Sequence, residues 1–177
     1  ASDVYKRQDN GVLYNKDKTE LLMCPKMLTG EFIIPEGITR ISSGAFGGCT
    51  GLSSVVIPGS TQEIGEFTFA NCKFSQITIP DNVKEIGEGA FYKTSLIHVS
   101  LPNSLTAIKR STFSNCSALE SVIIPNTVRQ IEGHAFAECS SLTSVCFLGN
   151  APELDEYVFY DPWSEMSVIL YYLPGTS

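Results

Sequence analysis

Six cysteines are the residues best equipped for chemistry in this 177-residue chain. Four of them, Cys49, Cys72, Cys116 and Cys139, follow one another at 23, 44 and 23 residues, each three residues after a phenylalanine. Thiolates bind soft metals or close disulfides, but the close Cys-x-x-Cys pairing that marks most metal sites is missing. One slot filled four times in a repeated phrase points instead to an inward column of small, weakly polar side chains. Thr94 stands in the same slot, which suits packing or a local hydrogen bond better than a bridge. The favoured reading is a row of buried free thiols; a disulfide between neighbouring repeats and a metal site are the alternatives. Burial would also shield such thiols outside the cell.

Catalysis finds little to work with. His98 falls in a strand-like segment and His134 in a turn before Phe136, on different faces, so the two histidines share no site. No HExxH, P-loop, dinucleotide fingerprint or nucleophile elbow occurs. The chain is read as a non-enzyme without cofactor or metal. Five acids, Glu153, Asp155, Glu156, Asp161 and Glu165, crowd the stretch from Asn150 to Met166 with no base among them. They lack the DxDxDG spacing of a calcium loop, so they read as a solvated cap that blocks aggregation. A calcium site or a site for a cationic partner is the alternative. With 12 basic against 19 acidic residues and a net charge of −7, neither nucleic acid nor an anionic membrane surface is the expected partner. No apolar run is long enough to insert in a membrane. The opening ASDVYKRQDN shows no signal-peptide core and fits no repeat, so residues 1–10 read as a tail or processing remnant.

What positions these residues is a repeat. Pro35, Pro58, Pro80, Pro102 and Pro125 step along the chain by 23, 22, 22 and 23 residues. Phe46, Phe69, Phe91, Phe113, Phe136 and Phe159 keep the same beat, and such a period marks a solenoid. In Leu96–Pro102 the alternation of Val99 and Leu101, closed by a proline, predicts one short strand per repeat. Connections of more than a dozen residues make those strands parallel. After the proline, Val83, Ile86, Ala90 and Phe91 point inward from turns or a short helical turn, and stacking converts them into ladders such as Ile41, Ile64, Ile86, Ile108 and Ile131. The expected fold class is an α/β-type repeat solenoid, a right-handed coil with one short parallel strand per 22–23-residue repeat. Residues 11–177 form one domain: an N-terminal hairpin cap (11–33, strands at Val12–Leu13 and Leu21–Met23), five repeats (34–146) and a degenerate closing coil (147–177) ended by Pro174 and Gly175. In that last coil Ala151, Leu154, Val158 and Phe159 are assigned core slots. The two 22-residue units each lack one residue between the cysteine slot and the strand, a deletion assigned to a surface turn that leaves the register intact.

The phrases IPEGITRISSGAFGGCTGLSSVVIP and IPDNVKEIGEGAFYKTSLIHVSLP resemble the leucine-rich-repeat variant of Treponema-type and BspA-like bacterial surface proteins. The likeness runs from about Leu13 to Gly175. It departs where Thr94 and Pro162 replace Cys, Thr68 and Thr112 replace Ala, and Thr61 replaces the first Val. The resemblance implies a cell-surface or secreted, non-enzymatic domain for adhesion or protein recognition, with a host-matrix or other cell-surface protein as partner. The rival reading is a spacer without a ligand, and the domain is expected to be a monomer.

If there is a binding site, alternation places it on the outward residues of the strands, on the concave side. These are Ser54/Val56, Gln76/Thr78, His98/Ser100, Ser121/Ile123 and Ser144/Cys146. The strip centred on Gln76, Thr78, His98, Ser100, Ser121 and Ile123 is the candidate surface: short, uncharged, hydroxyl-rich and continuous over neighbouring repeats.

Overall fold

The turn around each phenylalanine decides what kind of coil this is. In the computed structural model, which describes residues 7–9, 11–162 and 168–173, that turn carries two residues in left-handed backbone at each phenylalanine from Phe46 to Phe136. They stand two before and two after the phenylalanine. Gly44 and Gly48 (φ 68° and 74°) flank Phe46, Phe67 and Asn71 (50° and 62°) flank Phe69, and Gly89 and Lys93 (59° and 55°) flank Phe91. Ser111 and Asn115, then His134 and Glu138, continue the pattern. A right-handed helix needs negative φ at every residue and cannot pass through either position. The amides accordingly alternate their partners. Ala45, Gly47 and Cys49 donate within the turn to Ser42, Gly44 and Phe46, while Gly44, Phe46 and Gly48 donate to Glu66, Thr68 and Ala70 of the next coil at 2.8–2.9 Å. Each turn is thus stitched both to itself and to its neighbour.

The expected α/β class is therefore corrected to an all-β solenoid, with no helix among the described residues. Nor is there one strand per coil. The strands are β1 (Arg7–Asp9), β2 (Val12–Tyr14), β3 (Glu20–Met23), β4 (Gly30–Ile33), β5 (Arg40–Ile41), β6 (Leu52–Val56), β7 (Glu63–Ile64), β8 (Glu85–Ile86), β9 (His98–Ser100), β10 (Ala107–Ile108), β11 (Ser121–Ile124), β12 (Gln130–Ile131), β13 (Ser144–Phe147), β14 (Glu153–Leu154) and β15 (Ile169–Tyr172). The long strands form the expected parallel face. The two-residue strands, where turns or a helical turn were expected, form a second parallel ladder that points Ile41, Ile64, Ile86, Ile108 and Ile131 into the core. Two residues suffice because each strand needs to turn only one side chain inward before the phenylalanine turn begins.

The core is a set of columns. The rings from Phe46 to Phe159 stack with centroids 5.1–5.7 Å apart, and those from Phe46 to Phe136 are wholly buried. The threonines that break the repeat pattern are buried and satisfied: Thr61 donates to Ile38 O, Thr68 to Gly65 O and Thr112 to Lys109 O. At the N-terminal end β2 and β3 pair antiparallel, β1 adds to β2, and β3 hands over to β5 in parallel. In the last coil Val158 is buried and Phe159 packs on the core, whereas Ala151 and Leu154 are exposed, with no further coil over them among the described residues. Pro174 and Gly175 lie outside the described residues, as do residues 1–6 and 10 of the tail.

Both strand ladders are interrupted at one place. The long-strand face divides into β4–β6 and β9–β11–β13–β15, with Gln76–Thr78 joined to β6 only by a bridge from Val56 to Thr78. The short-strand ladder divides between β8 and β10. The missing residue of the 22-residue units thus preserves the register, yet the strands it precedes pair incompletely. A seam runs here between consecutive coils, held by the phenylalanine turns (Phe91 N to Thr112 O, 2.9 Å) and by Ile97 N to Ser75 O at 3.0 Å.

Candidate interaction surface

The cysteine slot is the first candidate to resolve. Cys49, Cys72, Cys116 and Cys139 are buried and free. Cys72 donates its thiol to Phe46 O at 3.2 Å, Cys116 to Phe91 O at 3.1 Å and Cys139 to Phe113 O at 3.1 Å. Thr94 lies 3.1 Å from the Cys116 sulfur, so it joins the column through the hydrogen bond its side chain suggests. Burial pushes the Cys72 thiol up to about 12 and Cys116 to about 11; Cys49 and Cys139 are raised for the same reason. A thiol held protonated and covered is neither a nucleophile nor a metal ligand. This column is structural.

The histidines lie on separate faces. His134 stacks on Tyr157 in the phenylalanine-turn column, with centroids 5.6 Å apart. His98 lies on β9, its Nδ1 sharing a hydrogen bond with Ser121 Oγ at 3.1 Å and its Nε2 3.9 Å from Glu120. Of the terminal acids, Glu153, Asp155 and Glu156 are exposed, and Asp155 accepts from Gln130 and from the Gly133 amide. Glu165 lies outside the described residues.

The outward strand residues converge. Gln76, Thr78, His98, Ser100, Ser121 and Ile123 all line one open depression of about 730 Å3 on the long-strand face. Its floor lies over the seam, at the strands reached through the two shortened connections. Two exposed apolar side chains stand in it, Val56 (44% exposed) and Ile123 (46%), in the outward column that also passes Thr78 and Ser100. Sequence reasoning missed that this column extends to Ile33 (63%) at one end and, through Cys146, to Tyr171 (51%) at the other. The repeat spacing was the signal for Ile33, which stands 23 residues before Val56, whereas Tyr171, 25 residues after Cys146, falls off that beat.

The family model for BspA-type leucine-rich repeat regions matches residues 26–118 as six copies. The crystal structure of the T. pallidum leucine-rich repeat protein TpLRR is 32% identical, with a TM-score of 0.68, over 76% of this chain and 67% of that one. A leucine-rich repeat protein from Eubacterium ventriosum is 28% identical (TM-score 0.68) over 79% of this chain and 39% of its own. A leucine-rich cell surface protein from Faecalibacterium prausnitzii, 24% identical, shares the fold (TM-score 0.63) over 96% of this chain and 40% of its own. No curated protein matches. The chain belongs to the BspA-type leucine-rich-repeat family of bacterial surface proteins, and it is a non-enzymatic repeat domain of the kind that works through protein–protein contact. It spans about two thirds of the T. pallidum protein and about two fifths of the other two.

Proposed function

We propose that this domain serves adhesion or protein recognition outside the cell by taking a partner on the long-strand face, at Gln76, Thr78, His98, Ser100, Ser121 and Ile123. The observation that carries the reading is the convergence of all six on one depression. Side chains fixed on a stacked ladder lose little entropy on binding, and a surface continuous over several coils offers area that a single turn does not. The partner is a protein, of the host matrix or of another cell surface, and the domain acts as a monomer. Affinity is modest, because no tryptophan or arginine stands in the depression to anchor a partner. That same lack is the observation favouring a spacer role without a ligand.

The test is surface plasmon resonance of the purified domain against a panel of host-matrix and bacterial surface proteins. Thr78→Glu with Ser121→Glu should abolish binding while leaving the melting temperature nearly unchanged. A partner indifferent to that change but lost when Glu153, Asp155 and Glu156 are neutralised would move recognition to the acidic end. Absence of any partner would favour the spacer.

A further inference from the structure

We infer that the occupant of the depression is an extended, positively charged polypeptide segment lying across the strands, with aliphatic side chains at positions i and i+4; this rests on the reading of the long-strand face given above. Three observations select that chemistry. The first is spacing. From Val56 the outward column steps to Thr78, crosses the seam where Ile97 N donates to Ser75 O at 3.0 Å, and continues through Ser100 to Ile123. Three strand spacings make roughly 14 Å. Four residues of extended chain cover roughly 13–14 Å and return a side chain to the same face. One peptide thus sets one aliphatic group against Val56 and another against Ile123, with a small or polar residue between them over Thr78 and Ser100.

The second observation is unused hydrogen-bonding capacity. The side chains of Gln76, Thr78 and Ser100 line the depression and make no hydrogen bond among the described residues. Donors and acceptors side by side on a fixed frame suit the alternating amides and carbonyls of an extended backbone. A folded helix presents no free main-chain groups along its length.

Charge is the third. The strand face, taken as residues 30–33, 53–56, 75–78, 97–100, 120–124, 143–147 and 168–172, contains Glu31 and Glu120 and neither lysine nor arginine. Both carboxylates flank the depression, Glu31 hydrogen-bonded to Ser54 (3.3 Å) at one end and Glu120 beside His98 at the other. A segment with Lys or Arg outside its two aliphatic residues meets both, and an acidic segment is repelled.

The experiment is panning of a displayed random-peptide library against the wild-type domain, followed by fluorescence anisotropy of the enriched peptides. Expected are peptides with aliphatic residues four apart and basic flanks, bound at least tenfold more weakly by Val56→Ser with Ile123→Ser. They should also bind several-fold more weakly to Glu31→Gln with Glu120→Gln, with a flatter salt dependence. Enriched peptides without that pattern, yet lost on Thr78→Glu with Ser121→Glu, would overturn the peptide class and leave the surface in place. Peptides indifferent to the Thr78 and Ser121 changes would overturn both. No enrichment would overturn the peptide class. Melting temperatures of all variants must stay near wild type, and a Val56→Thr, Ile123→Thr pair serves if the serine pair fails to fold.

Discussion

The Cys72 sulfur lies 3.2 Å from the carbonyl oxygen of Phe46, one coil back. The same oxygen already accepts the Cys49 amide of its own turn at 2.9 Å, so the thiol fills the second lone pair of a carbonyl that no water reaches. Repeated at Cys116 and Cys139, the contact ties each phenylalanine turn to the next. Native protein should therefore resist alkylation at Cys49, Cys72, Cys116 and Cys139, and denatured protein should react at all four. Rapid native labelling of any of them would refute the slot. Alkali gives a second readout. A thiol raised from an ordinary 9.0 to about 12 keeps its proton in the folded state while the unfolded chain has lost it. Its stabilisation is complete below pH 9 and declines as pH rises from 9 towards 12, by up to ~1.4 kcal/mol per pH unit for each such thiol. Cys72→Thr, which copies the natural Thr94, should flatten that decline in melting temperature against pH.

The phenylalanine column should be strongest in its middle. Phe91 lies between Phe69 (5.4 Å) and Phe113 (5.2 Å) and is fully buried. Among the described residues Phe159 stacks only on Phe136, at 5.7 Å, and it is half-buried. Phe91→Ala should cost about 3–5 kcal/mol in denaturant unfolding, from lost transfer energy and a cavity. Phe159→Ala should cost clearly less. Equal costs would mean that the last coil is packed as well as the centre.

The repeat made the columns readable, since any residue recurring at 22–23 must stack. It also made the outward strand residues readable, because alternation leaves them only one direction to face. The nature of the phenylalanine turn was harder to read. Apolar residues three and four apart fit a helical turn, and only the residues two before and two after the phenylalanine speak against it. Gly44, Gly48, Gly89, Asn71 and Asn115 were that signal, diluted by Phe67, Lys93, Ser111 and His134 in the same places. Phe67, Lys93 and Ser111 donate their amides to Glu88 O, Ser114 O and Gly133 O of the next coil, contacts which no single repeat reveals. The seam was hidden for a similar reason: a one-residue deletion looks local in sequence, while its effect on pairing appears only when two coils are stacked.

The left-handed positions make a paired prediction. Nothing lies within 4 Å of a Cβ built on Gly44, so Gly44→Ala tests backbone conformation alone. It should destabilise by about 1–2 kcal/mol, the usual cost of an L-residue at positive φ. Ser111, at φ 54°, should show the reverse, with Ser111→Gly stabilising by about 0.5–1 kcal/mol once the greater freedom of unfolded glycine is counted. Thermal unfolding of both variants checks the signs. A helical turn would give the opposite result, glycine being the poorer residue at both sites.

The seam predicts where the solenoid opens first. On its N-terminal side the Gly87 amide donates to Ile64 O at 2.8 Å, and on its C-terminal side the Glu132 amide donates to Ile108 O at 2.8 Å. Lys109 occupies the same place in the intervening coil, and its amide makes no backbone hydrogen bond among the described residues. Thr106 repeats the contrast against Lys84, bonded to Gln62 O, and Arg129, bonded to Thr106 O, both at 2.8 Å. In native-state hydrogen exchange, amides that open locally exchange far faster than those released only by global unfolding. The amides of Thr106 and Lys109 should therefore exchange orders of magnitude faster than those of Lys84, Gly87, Arg129 and Glu132. The Phe91 and Phe113 amides, donating to Thr112 O and Ala135 O at 2.9 and 2.8 Å, should stay protected, because the turn ladder crosses the seam unbroken. Uniform protection across all three coils would close the seam. Selective exchange at Thr106 and Lys109, with the phenylalanine turns intact, would make the long-strand depression the mouth of a joint that pivots on the Phe91–Phe113 stack.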